Sequence, residues 1–143
     1  MIRLRLFFAV GLVSTLALAL PAQAQTTFNV SNNGLTSYTI NASTNPTLNL
    51  VRGQTYTFNI NAIGHPFWIK TAQVTGTGSA FNTGVTNNGD DSGTITFVVP
   101  QSAPATLFYI CQFHGSMTGQ INISGNTPVK NVTWGRVKTR YGR

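Results

Sequence analysis

From Gln25 to Gly125, apolar residues recur at every second position in one short run after another. The stretch "TYTFNIN" sets Tyr56, Phe58 and Ile60 on one face and Thr55, Thr57 and Asn59 on the other. "TITFVV" does the same with Ile95, Phe97 and Val99, and shorter versions follow in Phe28 and Val30, Tyr38 and Ile40, Leu48 and Leu50, Phe67 and Ile69, and Ile121 and Ile123. A helix cannot gather a period of two onto one face, whereas an extended strand does so automatically. Turn signals separate the runs: Asn32-Asn33-Gly34, Arg52-Gly53, Asn88-Gly89 and Ser124-Gly125. The body is rich in Thr, Asn, Gly and Ser and contains no Glu. About seven to eight short strands on this spacing predict an all-β fold, an antiparallel Greek-key β-sandwich. One stretch, Thr71 to Gly93, alternates weakly and is rich in glycine. It reads either as a connection crossing between the sheets or as a loop holding a short irregular strand.

The two ends differ from this body. "MIRLRLFFAVGLVSTLALALPAQAQ" opens with Arg3 and Arg5, continues with an apolar run from Leu6 to Leu20, and reaches a small-x-small site at Ala22-Gln23-Ala24. That is the layout of a secretory signal peptide over residues 1–24, and the run is shorter than the roughly 20 residues a membrane span needs. A periplasmic or extracellular protein with no membrane span is expected, with one domain over residues 25–125. Residues 126–143 form a basic tail holding Lys130, Arg136, Lys138, Arg140 and Arg143. Between the ends, Arg52 and Lys70 balance Asp90 and Asp91. The formal charge of +7 therefore belongs to the termini, and the domain is not built to bind nucleic acid.

The chemistry concentrates in "LFYICQFHGSMTGQINI", which holds the single cysteine, Cys111, followed by His114 and Met117. A lone cysteine is commonly a small core hydrophobe. An exported thiol, however, survives only where it is protected or liganded. Leu107, Tyr109 and Cys111 share a face, so the sulfur points inward at a strand end, and Cys-x2-His then turns the imidazole toward it. His-x2-Met brings a thioether back from the far side of the turn. Thiolate, imidazole and thioether together suit copper. A trigonal site needs a second imidazole, and His65 in "NAIGHPFWIKT" is the other histidine of the chain. It shares its face with Phe67 and Ile69, a place where an isolated histidine is commonly a hydrogen-bonded core residue. The two histidines, the cysteine and the one methionine of the mature chain nevertheless complete one His2Cys-plus-Met set with nothing left over.

An upstream histidine and a Cys-x2-His-x2-Met loop leading into the last strand of a β-sandwich resemble the cupredoxins, the blue-copper family, and the short loop is most similar to amicyanin. The resemblance implies one type 1 copper ion with His65, Cys111 and His114 as equatorial ligands and Met117 as the weak axial one. It implies a one-electron carrier rather than an enzyme. A redox protein partner would dock near His114, where an apolar patch brings the imidazole to the surface, and the protein would be a monomer. Two positions depart from the family pattern. Pro66 stands where many members carry an Asn that ties the two ligand loops, and Gln112-Phe113 replaces a loop proline. Enzymes with several copper centres need further histidines, and no Ser-His-Asp set can be assembled. Two other readings remain open: a copper carrier or buffer without electron transfer, and a metal-free adhesion module suited by the Thr/Asn surface.

Overall fold

A computed structural model describes residues 26–125; the expected leader over 1–24 and basic tail over 126–143 lie outside the described residues. The chain runs through β1 (Thr27–Asn33), β2 (Ser37–Ile40), β3 (Ser43–Thr44), β4 (Leu48–Val51), β5 (Thr55–Asn61), β6 (Phe67–Lys70), β7 (Val85–Thr86), β8 (Ser92–Val98), β9 (Thr106–Cys111) and β10 (Thr118–Ser124). β3 and β7 are two-residue strands, so eight strands of four or more residues match the number the alternation calls for. They form two sheets, one in the order β3-β2-β1-β5-β8-β7 and the other β4-β10-β9-β6.

The sheets are mixed rather than wholly antiparallel: β1 pairs with β5 and β4 with β10 in parallel. Connectivity explains this. The chain leaves the first sheet after β3, lays β4 into the second, and returns as β5 beside β1 running the same way. The inward set is the one read from the alternation, with Phe28, Tyr38, Leu50, Tyr56, Phe58, Phe67, Ile69, Phe97, Leu107, Tyr109 and Ile121 all in one buried cluster. Outward positions of the first sheet carry hydroxyls and amides instead. Thr27, Thr57, Thr96 and Thr86 fall in one rank across four strands, and Asn59 Nδ2 donates to Asn29 Oδ1 at 3.0 Å in the next.

The Thr71–Gly93 stretch does both things expected of it. It carries the chain from β6 in one sheet to the other and supplies β7. Its first part folds over the outward side of β6 and covers Lys70, which is fully buried. The Lys70 ammonium donates to the carbonyls of Val74 and Gly76, and loss of hydration pulls its pKa below the ordinary lysine value.

Candidate metal centre

Two loops at one end of the sandwich carry the candidate ligands. The first joins β5 to β6. His65 N–H donates to Ala62 O at 2.8 Å, closing a tight turn in which Gly64 takes φ +82°, a region most residues avoid. Both acidic residues of the chain shape this turn. Asp91 Oδ2 accepts from Gly64 N–H at 2.8 Å, and the Asp91 and Asp90 carbonyls accept from Ala62 and Phe67 at 2.9 and 3.0 Å. The second loop runs from Cys111, paired with Phe67 across β9 and β6, to Thr118. Met117 N–H donates to His114 O at 3.1 Å and Cys111 N–H to Met117 O at 2.9 Å, which folds the loop back on the cysteine. Gln112 N–H donates to Pro66 O at 3.1 Å and joins the two loops.

This arrangement brings three donor atoms together. His65 Nδ1 lies 3.2 Å from His114 Nδ1, and Cys111 Sγ lies 3.9 Å from the first and 3.5 Å from the second. The circle through a triangle with these sides has a radius of about 2.1 Å, against metal–nitrogen lengths of roughly 2.0–2.1 Å and metal–sulfur lengths of roughly 2.3 Å. One cation at its centre would thus touch all three donors without moving them. Cys111 is fully buried, His65 is buried and His114 half-buried. Such lengths suit zinc and copper alike; the soft thiolate with two imidazoles favours copper. Met117 is also fully buried, in the same loop, with its carbonyl on the Cys111 amide.

Reading the residues alone does not reveal how this site is braced. Tyr38, on β2 of the opposite sheet, has one phenol proton shared between two acceptors, His65 O at 2.8 Å and Pro66 O at 3.1 Å. Burial first, and then the Cys111 sulfur beside it, pushes the phenol pKa well above its ordinary value. Alternation places the ring inward and a buried hydroxyl demands a partner, but only the packed structure supplies these carbonyls. Trp68 Nε1–H similarly reaches Gln112 Oε1 at 3.2 Å, next to the cysteine. Outside the triangle, Ile63 in the first loop and Phe113 in the second are 76% and 60% exposed, with the Phe113 ring 6.5 Å from that of His114. Leu35, 62% exposed, lies between β1 and β2, and its carbonyl accepts from Ser116 Oγ of the second loop at 3.3 Å.

No protein-family model matches the sequence, and no curated protein matches it. Solved structures do match in fold. Rusticyanin, a copper protein, superposes with a TM-score of 0.52 at 19% identity, over 68% of this chain and 76% of that chain. The chain shares the fold of this copper protein. A point variant of rusticyanin gives 0.51 at 19% identity, over 71% of this chain and 79% of its own. A purple cupredoxin from Nitrosopumilus maritimus aligns at 0.44 with 17% identity, over 68% of this chain and 98% of that one. Within this sandwich the His-Cys-His triangle sits where β9 ends and β6 begins, at one end of the core, with Cys111 inside it and His114 half-buried.

Proposed function

We propose that the chain is an exported type 1 copper protein that passes single electrons between redox partners. The observation that carries this is the triangle of His65, Cys111 and His114 donors, already spaced for one metal ion. Copper held there would supply a Cu(II)/Cu(I) couple, and Met117 is the proposed axial ligand. The chain's part is to keep the three donors from relaxing as the charge changes. Cys111 sits at the end of a paired strand, and both loops are anchored through main-chain bonds. Phe113 N–H also points at Cys111 Sγ from 3.5 Å, a donor that stabilises a thiolate. Fixed geometry of this kind lowers the rearrangement each electron transfer requires.

The reading favours a carrier over an enzyme. Both histidines are drawn into the triangle, and the Asp91 carboxylate is engaged with Gly64. The exposed Phe113 ring, 6.5 Å from that of His114, offers an apolar contact at which a redox protein would dock with little charge steering. A monomer released by cleavage after Ala24 into the periplasm or the extracellular space is the form proposed to work. The test is to add Cu(II) to the purified chain and record visible absorption, with Cys111→Ser in parallel. An intense thiolate-to-copper band, absent from the variant and bleached reversibly by a one-electron reductant, is the expected result. A colourless protein would sink the copper reading. A band whose reduced copper is surrendered quickly to a Cu(I) chelator would instead favour a copper carrier.

A further inference from the structure

The residue after His65 is proline, which has neither an amide hydrogen nor a polar side chain to link the ligand loops. The structure nevertheless places a polar junction there. Pro66 O accepts from Gln112 N–H of the second loop and from the Tyr38 phenol, and the same phenol reaches His65 O at 2.8 Å. Tyr38 comes from β2 of the six-stranded sheet, so its hydroxyl crosses the whole core to meet the loops of the other sheet. Its ring is fully buried and held edge-on against Phe67 at 5.1 Å and Tyr109 at 6.2 Å, which leaves the hydroxyl little freedom. In this buried place the phenol and the His65 carbonyl depend on one another, because no solvent can substitute for a lost partner, while Pro66 O keeps the Gln112 N–H as a second donor.

We propose that Tyr38 is a positioning residue of the metal centre: its hydroxyl holds the His65 and Pro66 carbonyls and so sets His65 Nδ1 at its distance from Cys111 and His114. It does from the opposite sheet what a side chain at position 66 cannot. The proposal rests on the copper reading above. A purely structural role is separable from it because the core contains a matched control. Tyr109 is equally buried and stacks on Phe67 at 5.2 Å, but its phenol donates to Pro46 O at 2.8 Å, on a different loop.

The experiment compares the purified chain with Tyr38→Phe and Tyr109→Phe, each loaded with Cu(II). Tyr38→Phe is expected to weaken copper binding by roughly 10- to 100-fold and to displace the thiolate band. In the copper-free protein it is expected to broaden the ring resonances of His65. Tyr109→Phe is expected to keep affinity within about twofold, with an unmoved band and sharp His65 signals. Equal affinities, bands and ring signals in the two variants would overturn the proposal. If the unaltered chain shows no thiolate band, the copper reading fails and the proposal falls with it. Should Tyr38→Phe not fold, the unaltered copper-free chain decides the matter. The Tyr38 hydroxyl proton is expected to appear in NMR spectra as a slowly exchanging resonance close to His65; a hydroxyl that exchanges with water as fast as a free phenol would refute the role.

Discussion

Replacing Gly89 by alanine strikes the wall that backs the cysteine loop. Gly89 sits at φ +95°, donates its N–H to Phe67 O at 3.0 Å, and has the indole of Trp68 directly over its Cα. A methyl group here would overlap Cε2 and Cζ2 of Trp68. The indole cannot swing aside freely, since its Nε1–H is bonded to Gln112 Oε1, one residue beyond Cys111. Two costs follow. Holding an L-residue at this φ costs about 1–2 kcal/mol, and relieving the overlap costs about 1–3 kcal/mol more. The total of roughly 2–5 kcal/mol is a large part of the 5–15 kcal/mol that keeps a domain folded. At about 4–8 °C per kcal/mol, the melting temperature should fall by some 10 °C or more. Thermal and urea unfolding of the copper-free protein would measure it, with Gly89→Ala repeated in a Trp68→Ala background. Without the indole only the backbone cost remains, so the two substitutions should be non-additive by about 1–3 kcal/mol. A loss below about 1 kcal/mol, or strict additivity, would show that Trp68 is not pinned between Gly89 and Gln112.

Copper should stabilise the folded chain by mass action. At a free concentration 100 times Kd the gain is about 2.7 kcal/mol, or roughly 10–20 °C in a domain of about 100 residues. Calorimetry should detect it in the unaltered chain and find none in Cys111→Ser; an equal gain in both would place the metal elsewhere. Alkali should unfold the protein through its buried phenols. Tyr38 and Tyr109 are both pushed above the ordinary 10.0 by burial, so their contribution is complete below pH 10 and is lost as the pH climbs toward the folded values. Each adds a slope of up to about 1.4 kcal/mol per pH unit above pH 10, and Tyr109→Phe should remove its share. Denaturant titrations between pH 9 and 11 that show the same slope in both proteins would contradict this.

The alternation of "TYTFNIN" and "TITFVV" was sufficient to sort inward from outward side chains, because side-chain direction in a strand is a local property of the backbone. The three donors of the triangle could be named beforehand for a related reason: thiolate and imidazole are written in residue type, and the chain holds one cysteine and two histidines. Three things were not legible. The parallel pairing of β1 with β5 depends on which sheet the chain visits in between, not on any one strand. The burial of Lys70 depends on a glycine-rich loop whose local sequence reads as open surface. The placement of the Tyr38 phenol on the His65 and Pro66 carbonyls depends on the distance between two sheets. The triangle belongs to both kinds of knowledge. Residue type alone picks out which atoms could take part in it. Only the packed sandwich decided that His65 and Cys111, 46 residues apart in the chain, stand 3.9 Å from one another, because that separation is set by the pairing of β6 with β9 and by the core beneath them.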